Sequence, residues 1–208
     1  MTSPGPSPTD SDLLVLQALR CCGHTGTGRL AAATGMDESA VESELIDLAV
    51  AGLVTYESGT LSAWGLTDGG RAAAAERIAA QLEAAGARAA VAGAYERFMV
   101  LNPELLDLCT AWQLKSVDGV TTVNDHGDPA YDARVLGRFK DLDQRAEAVC
   151  SDLAAVVARF GLYRVRLADA LARAASGQLE YVADHIASYH AVWAELHEDL
   201  LATLGIPR

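Results

Sequence analysis

His126, His185, His190 and His197 are the side chains best suited to chemistry, together with the carboxylates Asp125 and Asp128. His190 and His197 fall on one face of the last expected helix. Seven residues of α-helix separate them by roughly 10.5 Å along the axis. One metal ion with bonds of ~2 Å cannot take both, because helical chelation uses spacings of three or four. His185 falls on the other edge of that helix. A metal site would need Asp125, His126 or Asp128 to fold against one of these histidines, so no metal is expected. The plain alternative is histidines at the margin of a helical core, satisfied by hydrogen bonds.

The same region offers the makings of a small-molecule pocket. Trp112, Tyr131, Tyr189 and Trp193 are large, and Asn124, His126, His190 and His197 supply polar groups near them in sequence. Pockets are mostly apolar with a few convergent polar groups, often between bundle helices. These eight residues are the candidate ligand-binding set, with a plain aromatic core as the competing reading. Arg164 and Arg166 follow Tyr163 and suit either a bound anion or pairing with nearby acids. No Gly-rich phosphate loop, nucleophile elbow or Cys–His arrangement is present, and His197 and Glu198 are helix neighbours that point apart. No catalytic residue and no cofactor is expected.

The elements that must position these groups are mostly helices. The chain has 208 residues and is half hydrophobic, enough for one large domain or two small ones. No apolar run approaches the ~20 residues of a membrane span. Residues 1–11 read as a disordered tail without a basic and apolar signal region. Four cysteines, an adjacent pair at 21 and 22 in a helical pattern and two isolated at 109 and 150, make no disulfide or metal framework, which predicts a cytoplasmic protein with reduced thiols. Arg outnumbers Lys fourteen to two in an Ala-rich chain, a composition pointing to a GC-rich bacterial genome.

Leu13, Leu14, Leu16 and Leu19 mark a first helix ending at Gly23. A second covers Arg29 to Thr34. A third runs to about Ala51 with Val41, Leu45 and Leu48 as its core stripe, started by a Ser39–Glu42 capping box or by Asp37. Leu53–Tyr56 and Leu61–Leu66 predict two short strands joined by Glu57-Ser58-Gly59-Thr60. Thr67 caps the next helix, which continues Ala-rich to Phe98 with a break at Gly86. Asn102 and Pro103 then suggest a fresh helix start, with Leu101 stapled to Leu106. Residues 116–123 are a hairpin or a loop, and Asp128-Pro129 opens another helix. The last helix is expected from Gln178 to Leu204, burying Val182, Ile186, Tyr189, Trp193, Leu196 and Leu200.

The fold class expected is therefore mainly α: an N-terminal winged helix with a small β-ribbon over residues 12–75, then an all-α bundle over 76–208. Ala51-Gly52-Leu53-Val54 and Leu66-Thr67-Asp68-Gly69-Gly70-Arg71 make the first part resemble the MarR-like winged-helix transcriptional regulators. The resemblance implies a homodimer that binds double-stranded DNA, and together with the two-part organisation it makes the helical bundle the expected sensor of a small-molecule effector and the dimer scaffold. It also implies basic residues on the third helix and at the wing tip, where this chain has Ser43, Asp47, Glu57 and Ser58. The candidate DNA-contacting residues are Arg29, Ser39, Ser43 and Arg71, with His24 as a further group for phosphate.

Charge opposes that reading. The net charge is −12, and no Lys or Arg occurs between Leu30 and Gly70. Residues 1–70 carry two bases against nine acids, and residues 71–208 carry fourteen against nineteen. DNA binders draw much of their affinity from neutralising phosphates. The alternative is an interaction or small-molecule-binding protein that keeps a winged-helix shape. The polar and aromatic groups Asp125-His126 and Tyr189-His190-x-x-Trp193-x-x-x-His197-Glu198 are also similar to a bacterial family that accompanies phosphoenolpyruvate- or pyruvate-utilising enzymes, a likeness that gives no residue a role.

Overall fold

The structure, a computed structural model, describes residues 5–58, 62–117 and 119–207. It is mainly helical, with two small antiparallel hairpins. Among the described residues no helix is long and apolar enough to cross a membrane.

Helix α1 (Ser11–Cys22) buries Leu13, Val15, Leu16 and Leu19. Helix α2 (Thr27–Thr34) stops at Gly35, whose φ of +71° is the left-handed conformation glycine adopts without strain. Helix α3 (Glu38–Val50) buries the expected stripe of Val41, Leu45 and Leu48. The Ser39–Glu42 capping box does not form: the N-cap position is Asp37, and Ser39 lies inside the helix. Strands β1 (Val54–Glu57) and β2 (Ala63–Leu66) pair with Val54 opposite Leu66 and Tyr56 opposite Trp64. The turn residues Gly59 and Thr60, and Leu61, lie outside the described residues. Thr25 bonds both backbone groups to Trp64 (3.0 and 2.8 Å), tying the loop before α2 to the hairpin.

The Leu-Thr-Asp-Gly-Gly-Arg segment is a clasp. Thr67 Oγ1 donates to the Gly52 carbonyl (2.8 Å) and accepts from the Gly70 amide (3.0 Å), capping helix α4 (Asp68–Ala84). A Cβ on Gly70 would lie 1.9 Å from the Leu53 carbonyl oxygen, so only glycine permits this approach.

Gly86 breaks the chain as expected (φ +59°), and helix α5 (Arg88–Gln113) follows. The helix start expected at Asn102 does not occur, because α5 runs straight through Pro103. Proline's φ suits a helix, and the cost is one missing amide donor and a crowded turn. Packing on both sides outweighs that cost: Phe98, Leu101, Leu105 and Leu108 are all buried. Leu106 is exposed, so it forms no staple with Leu101. The Asn102 side chain accepts from Trp193 Nε1 (3.0 Å) rather than capping a helix.

A hairpin of β3 (Leu114–Val117) and β4 (Val120–Val123) leads to helix α6 (Pro129–Val156). Asp128 caps α6, accepting from the amides of Ala130 (3.0 Å) and Tyr131 (3.1 Å). A 3₁₀ turn at 158–160 leads into α7 (Gly161–Ala175). The last helix is shorter than expected: α8 covers Tyr189–Leu204, preceded by a 3₁₀ turn at 179–181 and an irregular segment. Local side-chain bonding defeats the helix there. Ser188 caps α8 through the Ala191 amide (3.2 Å), and His185 Nδ1 accepts from the Ala187 amide (3.1 Å). Ile186 is consequently 59% exposed, while Val182, Tyr189, Trp193, Leu196 and Leu200 keep their places in the core.

One apolar cluster joins α1, α2, α3, the β1–β2 hairpin and the start of α4. Another fills the space between α5, α6, α7 and α8 and reaches Leu82 of α4. Helix α8 packs on α1 and α4 as well as on α5 and α7, so it belongs to both halves. The N-terminal segment also reaches across: the Ser7 amide donates to the Val156 carbonyl (3.1 Å), and the Ala158 amide donates to Ser7 (3.0 Å).

Candidate functional site

Buried charge concentrates where α1 and α2 meet α7 and α8. Glu195 and Asp199 stand one turn apart on α8 and face this junction. Asp199 is almost wholly buried and accepts four side chains. Gln17 Nε2 of α1 lies at 2.8 Å, Arg159 Nη2 at 3.1 Å, Tyr163 Oη of α7 at 3.0 Å and Thr203 Oγ1 at 3.0 Å. Arg159 also donates to Gln81 Oε1 of α4 (2.8 Å) and to Thr203 (2.6 Å). The pair is electrically neutral and its lone pairs are used, the condition under which a buried ion pair is tolerable. Burial, reinforced by Asp199, pushes the Tyr163 hydroxyl well above its ordinary pKa, so it stays a donor. Burial does the same to the Cys21 thiol, again with Asp199 adding to it.

Glu195 joins two arginines. Arg29 Nη2 of α2 lies 2.6 Å from one carboxylate oxygen, and Arg166 of α7 donates to the other. Burial opposes the Arg29 charge, but Cys22 and Glu195 outweigh it and raise its pKa. The neighbouring Cys22 thiol is raised to about 11 by burial and by Glu195. Two guanidinium groups on one carboxylate leave one positive charge in excess.

That excess lies at a cleft of about 500 Å³ between α2, α7 and the segment before α8. Ala32, Val165, Ile186, Ala187 and Val192 form its apolar wall, and Arg29, Arg166, Asp169 and His185 supply its polar groups. Asp169 is paired with Arg173 (2.8 Å) and leaves the excess charge standing. The Ala187 amide occupies His185 Nδ1, so the neutral ring presents an N–H at Nε2.

The eight residues proposed from sequence fall into two separate groups, and neither lines this cleft. At the end of α5, Trp112 is fully buried and packs on His126, with ring centroids 4.6 Å apart. Asn124 Nδ2 donates to the Trp112 carbonyl (3.0 Å) and to Asp132 (2.9 Å), and His126 Nδ1 lies 3.0 Å from Asp132. The Tyr131 hydroxyl donates to the Ala111 carbonyl at 2.7 Å. These groups fasten the β3–β4 hairpin and α6 to the end of α5. His126 has a φ of +56°, a left-handed turn conformation. In the second group, Tyr189 donates to Asp143 (3.1 Å), and Trp193 stacks on Phe98 at 4.6 Å. His197 lies 5.4 Å from the Phe98 ring centre, and His190 is half-buried with its amide bonded to Val182. Tyr189 and Trp193 are core residues; Tyr131 packs at the core's edge. Among the described residues no three His, Cys, Asp or Glu side chains are placed to hold one ion.

The DNA-facing candidates also divide. Ser39 and Ser43 are exposed on α3, with Ser43 Oγ donating to the Ser39 carbonyl (3.1 Å). Arg71 is exposed and lies 3.6 Å from Asp68. Arg29 is held by Glu195 and lines the cleft rather than standing free on the surface. His24 lies 3.7 Å from Glu57. Of the two bundle arginines weighed for an anion, Arg164 is bidentate to Asp143 (2.6 and 2.8 Å) and Arg166 lines the cleft.

Sequence reasoning missed Gln17, Arg159, Glu195 and Asp199. A signal existed: Glu195 and Asp199 flank Leu196 within the apolar seam of α8, where an unpaired carboxylate would be too costly to bury. No family model matches the chain, and no curated protein or solved structure is matched by it either.

Proposed function

We propose that the chain is a ligand-responsive regulatory protein of winged-helix shape, which takes a small organic anion in the cleft between α2 and α7. One observation carries the reading: Arg29 and Arg166 converge on the single carboxylate of Glu195 beside an apolar wall. A carboxylate with a branched or aromatic body fits that chemistry, its charge met by guanidinium groups and its body by Val165 and Ile186. Because α2 belongs to one apolar cluster and α7 to the other, such a ligand would touch both and bias their contact.

Thermal shift and calorimetric titration of the full chain with benzoate, indole-3-acetate, isovalerate, pyruvate and phosphoenolpyruvate test it. At least one apolar carboxylate is expected to bind. Val165→Asp, at an exposed wall position, is expected to weaken that binding about tenfold or more while leaving the fold intact. Binding of none of the five at millimolar concentration would sink the reading.

A second reading, a homodimeric winged-helix transcriptional regulator on double-stranded DNA, is supported by the order α1–α2–α3–β1–β2. Its test is a mobility-shift assay at low salt with duplex from the gene's own upstream region. Absence of any shift, with that duplex and with random duplex alike, would remove it.

A further inference from the structure

The outward face of α3 is apolar at its centre and acidic at its edges. Glu42, Ile46 and Val50 follow one another at intervals of four, so they form one row along the helix. Ile46 is 53% exposed and Val50 is 86% exposed. Strand β1 packs beside α3 and adds Tyr56, 50% exposed and backed by Trp64 with ring centroids 4.9 Å apart. Glu38, Glu42 and Asp47 are exposed, and among the described residues none of the three is in an ion pair. Large aliphatic side chains left in water beside uncompensated carboxylates are what an interface core and its polar rim look like before the partner arrives.

We infer that α3 and β1 form a docking surface for a basic amphipathic helix of a partner protein, with the apolar stripe of that helix on Ile46, Val50 and Tyr56 and its Lys or Arg residues on Glu38, Glu42 and Asp47. Charge complementarity selects this occupant. Phosphates of a duplex would meet three carboxylates with no arginine on the face to offset them. A second copy pairing face to face would set the same carboxylates against each other. A helix with apolar anchors at i, i+4 and i+7 and cations beside them meets both features at once. The inference is independent of the anion cleft, which lies on α2 and α7.

A displayed library of 16-residue helical peptides, selected on the immobilised full chain, tests it. The enriched peptides are expected to carry Lys or Arg flanking an apolar stripe. By fluorescence anisotropy they are expected to lose at least tenfold in affinity on Ile46→Asp and on Val50→Asp, and to weaken on Glu42→Lys. Composition-matched scrambled peptides are expected not to bind. Circular dichroism of each variant, with both substituted positions in solvent, separates lost docking from lost folding. Enrichment of acidic or neutral peptides, of no peptides, or of peptides indifferent to Ile46→Asp overturns the inference. So does tighter binding of random duplex DNA than of any peptide, if Ile46→Asp abolishes it.

Discussion

Replacing Asp199 by Ala is the most direct probe of how the two halves are held together. The carboxylate serves Gln17 of α1, Arg159 after α6, Tyr163 of α7 and Thr203 of α8. Removing it leaves the Arg159 guanidinium, 3% exposed, with the neutral Gln81 and Thr203 as hydrogen-bond partners and no carboxylate among those bonds. Breaking a buried pair by deleting one member costs about 3–5 kcal/mol, because the surviving charge is uncompensated. With an m-value of about 2–3 kcal/mol/M in urea, the unfolding midpoint falls by roughly 1–2.5 M. In a chain of this size the melting temperature falls by roughly 8–16 °C for about 4 kcal/mol. Urea unfolding followed by far-UV circular dichroism measures the first quantity. Hydrogen exchange shows where the loss falls, with the amides of α1 expected to lose protection ahead of those of α5 and α6. The double variant Arg159→Met with Asp199→Leu removes both charges and is expected to recover a large part of the loss, a coupling of about 1–3 kcal/mol. A cost below about 1 kcal/mol for Asp199→Ala refutes the reasoning, as does a double variant no better than the sum of the two singles.

Gly70→Ala drives a methyl group into the Leu53 carbonyl and is expected to cost about 2–4 kcal/mol, read as a lowered melting temperature, although alanine is the better helix former. Pro103→Ala is expected to stabilise α5 by about 1–3 kcal/mol by restoring an amide donor at an exposed position, again by thermal melt. Burial raises the thiols of Cys22, Cys109 and Cys150 from 9.0 to about 11, so folding favours their neutral forms. Their contribution to stability is fully present below about pH 9 and is lost as pH rises through about 11. Melting temperatures of the wild type are expected to fall over that window, and less steeply in a Cys109→Ala, Cys150→Ala variant. Equal slopes would contradict the buried-thiol account.

Periodicity and punctuation in the sequence determined the helices of the first half and the start of α6. The stripe Val41, Leu45 and Leu48, the stops at Gly23, Gly35 and Gly86 and the caps Thr67 and Asp128 all express local rules: helical spacing, φ above zero, and a side chain that satisfies an orphan amide. Where local signals conflicted with long-range packing, the outcome belonged to tertiary structure. Asn102-Pro103 reads as a helix start, yet the apolar residues on either side bury against α6 and α8, and that burial exceeds the cost of one lost hydrogen bond. Around Ser188 the balance reversed, and a cap with a histidine-backed turn cut short a helix the apolar spacing would have extended.

The candidate site was the least legible part. Trp112 and Trp193 are both aromatic, but their places in the core lie in different halves of the bundle, which spacing along one chain does not reveal. Arg29 reads as a phosphate contact until Glu195, 166 residues away, turns it inward. Sequence supplied the charges and the amphipathic faces. The packing of α8 against α1, α2 and α7 decided which of the charges at that junction neutralise one another.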